Sequence, residues 1–214
     1  MKVDNINTIN MVENHIRTLN VIDDAVLSVL KKIPRKIFVP EPYKQFSHVD
    51  MSIPIGKDQF MLMPSVEAKI LQSLNIHKHE DILVVGSGTG YLSSCLSLLA
   101  NKVHSIEIDE ELVERSKVNI KQECIKNNLI IEKKDFTNDP MILSKYQIIV
   151  LTSSISNINI LTDNMPHNSR AFLFYGSDDS PVKTGMIITK TIESGYTKEY
   201  IVETDVKKLI QSYD

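Results

Sequence analysis

Asp81-Ile82-Leu83-Val84-Val85-Gly86-Ser87-Gly88-Thr89-Gly90-Tyr91 joins an apolar run to three glycines at alternate positions, and an acidic residue, Glu107, follows downstream. The run before Gly86 has the length and β-branched content of a buried strand, Leu92 to Ala100 suits a helix, and Val103-His104-Ser105-Ile106 reads as a second strand ending on Glu107. That order is the front half of a nucleotide-binding βαβ unit. Glycines let the chain turn sharply and bring its backbone against a ligand, and an acidic side chain about 20 residues on can accept hydrogen bonds from ribose hydroxyls.

The spacing bears on which nucleotide. A dinucleotide site needs a third glycine three residues after the second, where the pyrophosphate meets the helix N-terminus, but Tyr91 stands there. A ligand without phosphates, an adenosine joined through sulfur to an amino acid, needs the close backbone approach and the ribose carboxylate only. S-adenosylmethionine is the expected cofactor. Glycine triplets also close ordinary strand-to-helix turns, so the weight rests on the strand, the helix and Glu107 together.

Composition excludes several classes. With 214 residues, 42% hydrophobic and 24% charged, the chain can bury a core and is expected to form one domain over 1–214. A net charge of −3 offers no attraction to nucleic acid or to an anionic membrane. The start, Met1-Lys2-Val3-Asp4-Asn5-Ile6-Asn7, lacks a signal-peptide layout, and no apolar run has the length of a membrane span. Cys95 and Cys124 have no metal-type spacing and read as free thiols, so a cytoplasmic address is expected.

Helical patterns dominate the early chain. Asn10 to Arg17 is predicted as a short helix. Asp23 and Asp24 can cap Ala25 to Lys32, which Pro34 stops. Pro40, Pro42, Pro54 and Gly56 punctuate a long irregular stretch, and Pro64 opens a helix through Leu74. From Asp81 onward strands and helices alternate, which predicts a mainly parallel sheet covered on both faces. Its later members are a helix Glu110 to Cys124, strands Leu129 to Glu132, Tyr146 to Leu151 (central) and Arg170 to Tyr175, and a closing hairpin of Gly185 to Glu193 and Glu199 to Thr204 turning at Ser194-Gly195.

Four N-terminal segments sharpen this pattern: Met11-Val12-Glu13-Asn14-His15-Ile16-Arg17, Asp24-Ala25-Val26-Leu27, Ile33-Pro34-Arg35-Lys36-Ile37-Phe38-Val39-Pro40 and Asp50-Met51-Ser52-Ile53-Pro54-Ile55-Gly56. With the glycine loop they resemble the protein-L-isoaspartate O-methyltransferases, from about residue 10 through Asp135. The resemblance implies a Rossmann-like class I methyltransferase fold, a mainly parallel sheet with helices on both faces, ending in antiparallel strands. It also implies an N-terminal helical and loop cap over 1–75 on the substrate side of a cofactor-binding core over 76–214. The implied reaction passes the methyl of S-adenosylmethionine to the free carboxylate of an isoaspartyl residue in a damaged protein or peptide. Gly86, Ser87, Gly88, Thr89, Gly90, Glu107 and Asp135 are then the cofactor residues. No acid–base group is assigned, because a carboxylate is already ionised near neutral pH.

On the substrate side the chain departs from that family. Where relatives carry Thr-Ile-Ser, this sequence has Phe60-Met61-Leu62 within Gln59-Phe60-Met61-Leu62-Met63-Pro64. A lost hydroxyl facing a buried charge costs about 1–3 kcal/mol. Asp50, Gln59, Phe60 and Leu62 are the substrate-side candidates. Two alternatives stay open: a different acceptor on the same fold, or a non-catalytic module that binds S-adenosylmethionine. After Tyr146, Gln147 and then Thr152-Ser153-Ser154-Ile155-Ser156 replace an Asp and a small-residue turn, and Pro166-His167-Asn168-Ser169 replaces a Pro-Gly-Gly turn in which Asn168 can take the left-handed geometry.

Other features have plainer readings. His77 and His79 lack a third ligand nearby, so no metal site is expected. Lys31, Lys32, Arg35 and Lys36 read as a solvated helix end. Glu110, Glu111 and Glu114 favour the start of their helix through its dipole. Met61 and Met63 fit core packing as well as an acceptor contact.

Overall fold

The computed structural model describes residues 2–122, 127–177, 179–192 and 195–210. α1 (Lys2–Asn10) continues through a π-helical segment, Met11–Ile16, and a 3-10 turn, Arg17–Leu19, before Asn20 stops it at φ 67. The helix expected over Asn10 to Arg17 is therefore part of a longer one, whose Met11, Val12 and Ile16 are buried. α2 (Asp24–Lys32) starts on Asp23, whose carboxylate accepts from the amides of Ala25 (2.8 Å) and Val26 (3.1 Å). Asp24 is thus the first helical residue rather than a second cap.

Two expectations about the next segment change. The irregular stretch holds a two-stranded antiparallel hairpin, β1 (Ile53–Gly56) and β2 (Gln59–Met61). Its two-residue turn needs left-handed backbone, which Lys57 (φ 51) and Asp58 (φ 54) supply without glycine. Arg35 is no solvated helix end. It is 1% exposed, because Pro34 turns the chain inward and the guanidinium meets Glu67 on α3 (Pro64–Ser73) at 3.1 Å. The same guanidinium donates to the carbonyls of Ser47 and Leu62, fixing three segments around one buried charge.

The sheet has seven strands in the order β5-β4-β3-β6-β7-β8-β9. They are β3 (Asp81–Val85), β4 (Lys102–Glu107), β5 (Leu129–Lys133), β6 (Ile148–Ile155), β7 (Arg170–Tyr175), β8 (Val182–Lys190) and β9 (Tyr196–Asp205). β3 to β7 pair in parallel, and β8 is antiparallel to both its neighbours. β6 takes the middle place and runs to Ile155, beyond the expected end at Leu151, so Thr152-Ser153-Ser154 is strand rather than turn. Glu193 and Ser194 lie outside the described residues, as does Cys124. The helix before Cys124, α5 (Glu110–Gln122), is described to Gln122.

Alternation along the strands divides the core. Ile82, Val84, Ile148, Val150, Phe172 and Phe174 face the larger cluster with α2, α3 and α4 (Tyr91–Leu99). Leu83, Val85, Ile149, Leu151, Ala171 and Leu173 face the other. Among the described residues that second face is covered by short elements, the 3-10 turns Phe136–Asn138 and Pro140–Lys145 and α6 (Asn159–Thr162), with Leu209 packed beside them. Pro140 and the Asn- and Asp-rich segment 156–169 favour caps and turns over long helices, which accounts for the asymmetry. Asn168 has φ 59.

Candidate functional site

The chain runs outward from β3 to β5 and then returns to the other side of β3 for β6. A crevice opens beyond the carboxyl ends of the strands at such a reversal. Here it is a cavity of about 500 Å³, reached by the ends of β3 (Val85, Gly86), β4 (Ile106, Glu107) and β6 (Thr152, Ser153).

Gly86 shows why glycine is required. Its φ is +88, and an added Cβ would lie 2.3 Å from Thr152 Oγ1. That hydroxyl donates to the carbonyls of Gly86 (2.7 Å) and Val85 (3.2 Å), so it buttresses the loop. Gly88 also lines the cavity, and its amide donates to Glu107 Oε2 at 2.9 Å. Ser87, Thr89 and Gly90 do not line it. Gly90 starts α4 at φ +93, where a side chain would press on Ser116 of α5. Thr89 donates its hydroxyl to Met61 Sδ (3.8 Å) and accepts at its carbonyl from Asn119, tying the loop to the hairpin and to α5. Ser87 Oγ is buried with no hydrogen-bond partner among the described residues.

Glu107 is 8% exposed at the floor of the cavity. Burial pushes its carboxyl above the ordinary carboxylate range, and the backbone N–H groups of Gly88, Asp109 and Ile108 offset this only in part. A carboxylate has about four lone-pair sites, so three backbone donors orient Glu107 and leave acceptor capacity for a ligand hydroxyl. Asp135 lines the same wall and caps the next 3-10 turn, accepting from the Thr137 amide (2.9 Å) and hydroxyl (2.7 Å).

The substrate-side candidates divide. Gln59, Phe60 and Leu62 line the cavity, with Ser52, Ile55 and Lys57 beside them. Asp50 does not. Its carboxylate accepts from the Ser65 amide at 2.8 Å and pairs with His15 at 3.1 Å. Partial burial pushes Asp50 up, but Ser65 and His15 together hold it below the ordinary range, as suits a structural anion. Met61 is buried toward the glycine loop.

Sequence patterns did not single out three features. Lys57 reaches across the mouth to Asp109 and lies 3.9 Å from Glu111, while Arg115 donates to Ile55 O at 2.7 Å, so the hairpin is tied to α5. The C-terminal segment, with Asp205, Val206, Lys207 and Leu209, forms the remaining wall. Thr152 is the third. The only sequence signal for any of them was the departure at Thr152. His77 and His79 stack on each other at the surface, 5.9 Å between ring centroids, and no cluster of metal-ligating residues occurs among the described residues.

Comparison with known proteins agrees with this architecture. The profile of the protein-L-isoaspartate(D-aspartate) O-methyltransferase family matches residues 7–164. Protein-L-isoaspartate O-methyltransferase 1 of Syntrophobacter fumaroxidans is 36% identical over 120 residues, 56% of this chain and 56% of that one. The Methanoculleus marisnigri protein-L-isoaspartate O-methyltransferase is 36% identical over 110 residues, 51% of this chain and 50% of its own length. The chain spans about half the length of the curated relatives it matches. Among solved structures, a putative protein-L-isoaspartate O-methyltransferase from Plasmodium falciparum, in complex with S-adenosyl-L-homocysteine, superposes with TM-score 0.80 at 22% identity, over 95% of this chain and 98% of that one. Those coordinates establish a shared fold, a Rossmann-like class I methyltransferase.

Proposed function

Because the chain belongs to the protein-L-isoaspartate(D-aspartate) O-methyltransferase family, we propose that it is an S-adenosylmethionine-dependent carboxyl methyltransferase acting on isoaspartyl residues in damaged proteins or peptides. The observation that carries this reading is the glycine cradle at Gly86 and Gly88 beside Glu107, opening into one cavity with the hairpin residues Gln59, Phe60 and Leu62. The close backbone approach at Gly86 and the acceptor capacity of Glu107 fit an adenosyl ligand. Asp135, on the wall beyond Glu107, suits its base.

When bound, S-adenosylmethionine supplies a sulfonium methyl to a carboxylate oxygen, the new C–O bond forming as the C–S bond breaks with its electron pair left on sulfur. No proton moves, so the protein's part is to align the reactants and exclude water. The hairpin does both by walling the cavity opposite the strand ends, and the Arg35 bond to Leu62 O holds its exit in place. Residues before 76 therefore serve as an acceptor-side cap on a cofactor-binding core. The reading carries a cytoplasmic address, with which the buried free thiol of Cys95 is in keeping, and no helix among the described residues is long and apolar enough to cross a membrane.

Glu107→Ala is expected to weaken S-adenosylmethionine binding about 10- to 100-fold, the value of a hydrogen bond to a charged group, with a lower melting temperature as the amides of Gly88, Ile108 and Asp109 lose their acceptor but with the fold kept. In the wild type, affinity is expected to fall as pH drops through the raised Glu107 pKa, since protonation turns an acceptor oxygen into a donor. Calorimetry across pH checks both, and a flat profile identical to that of Glu107→Gln would remove Glu107 from the site.

The activity itself is tested by transfer of labelled methyl to a matched pair of isoaspartyl and aspartyl peptides, with cofactor affinity measured on the same preparation. Transfer confined to the isoaspartyl peptide is expected. Tight cofactor binding without transfer would favour a second reading, a different acceptor, for which the apolar Phe60 and Leu62 on the cavity wall are the specific support.

A further inference from the structure

Resting on the isoaspartate reading above, we propose that Lys207 is the residue that receives the acceptor carboxylate, doing by charge what a hydroxyl at position 60 or 62 would do by hydrogen bonding. At the two substituted positions the hairpin wall offers an incoming carboxylate Phe60 and Leu62, neither of which can donate a hydrogen bond; Gln59 and Ser52 on the same wall can donate but carry no charge, and a carboxylate leaving water needs a positive partner as well.

Among the described residues three lysines line the cavity: Lys57, Lys134 and Lys207. Lys57 is engaged by Asp109 and Glu111 on the Glu107 side, and Lys134 pairs with Asp139 at 2.8 Å on the Asp135 side. Lys57, although on the hairpin turn, has its ammonium held by carboxylates next to Glu107, and Lys134 lies beside Asp135. Lys207 alone of the three stands over the substituted residue, its Nζ 5.6 Å from the centroid of the Phe60 ring. The aromatic face holds the ammonium by cation–π attraction, so Phe60 becomes the platform for the charge.

The position of Lys207 is set by backbone. Its carbonyl accepts from the Ser154 amide at 2.9 Å, and the Leu209 amide donates to Ser154 O at 2.9 Å. The C-terminal segment is thereby fastened to the end of β6, next to the cavity residues Thr152 and Ser153. The side chain itself already binds a carboxylate: Asp58, at the hairpin tip, lies 2.8 Å from Lys207 Nζ. That partner is expendable, since its side chain is 75% exposed and such surface pairs contribute little. Asp58 sits in the two-residue hairpin turn with left-handed backbone, φ 54, a conformation aspartate tolerates better than most residues, so the turn presents its carboxylate at the hairpin tip. It stands in for the substrate carboxylate, and exchange of one for the other leaves the ammonium paired throughout.

The test is steady-state transfer to the isoaspartyl peptide at saturating S-adenosylmethionine, comparing wild type, Lys207→Met, Lys207→Arg and Asp58→Asn, at low and high salt. Lys207→Met is expected to raise the peptide KM by about tenfold or more with a smaller change in kcat, and to abolish the salt dependence of KM. Lys207→Arg should keep most of the wild-type KM. Asp58→Asn, which removes the competing carboxylate, should lower KM by about two- to threefold. Calorimetric affinity for S-adenosylmethionine should stay near wild type in every variant. A Lys207→Met enzyme with wild-type KM, or one whose defect lies in cofactor affinity, overturns the assignment while leaving the isoaspartate reading intact. A wild type that binds cofactor yet methylates neither peptide overturns both.

Discussion

Gly86→Ala is expected to abolish measurable S-adenosylmethionine binding and to lower stability by about 2–5 kcal/mol, from left-handed strain on a residue with a side chain plus overpacking. The added methyl would sit 2.3 Å from Thr152 Oγ1, and that oxygen cannot turn away without giving up its hydrogen bonds to Val85 and Gly86 carbonyls. The two contributions separate in a double-mutant cycle. Gly86→Ala with Thr152→Ala removes the clash but keeps the strain at φ +88, so a coupling of about 1–3 kcal/mol should appear in urea denaturation. Cofactor binding should not return, because the methyl still stands where the backbone must approach the ligand. An alanine variant that binds and unfolds like the wild type would show that this turn is merely a turn.

Arg35→Met is the second large effect, an expected loss of about 3–5 kcal/mol, because it strands a carboxylate in the core. Glu67 is 2% exposed, and burial, opposed by the Arg35 charge and hydrogen bond, already lifts its carboxyl to about 7. A carboxyl raised in the folded state contributes stability that is fully present below its ordinary 4.5 and is lost as pH climbs toward the folded value. In the wild type that loss is complete near 7; in Arg35→Met the folded value rises further and the loss continues. The deficit relative to wild type should therefore be larger at about pH 8 than at about pH 5, which denaturant melts at the two pH values will show. Arg35→Met with Glu67→Leu should recover most of the loss, since an apolar pair of similar volume often replaces a buried ion pair without penalty. Methyl transfer should stay impaired in that double variant, because the Leu62 carbonyl has still lost its donor.

Much of the architecture was legible before any coordinates. Periodicity found β3 and β4 and the helix between them, and Glu107 at the end of β4 was named from its distance to the glycines. Reading failed where a residue's role depends on a partner far along the chain. Arg35 looked like one charge in a basic cluster, since nothing local tells a solvated guanidinium from one that meets Glu67, 32 positions later. The hairpin was hidden because its turn uses Lys57-Asp58 in place of the glycine or asparagine that normally signals left-handed backbone. Asp50 carries a carboxylate in a family-like segment, yet its side chain points to Ser65 and His15 instead of the cavity.

By itself the sequence determined the order along the chain of the strands in the large sheet and of the helices between them, the sharp glycine turn at Gly86 and the carboxylate at Glu107, because backbone preference and burial period are written into neighbouring residues. The tertiary structure alone decided which groups share the cavity. It set Lys57 against Asp109, 52 residues away, and Lys207 against Asp58, 149 residues away. Contacts across such distances arise from the parallel winding of the sheet, which gathers the strand ends, the hairpin tip and the C-terminal segment at one edge, and no local pattern encodes that meeting.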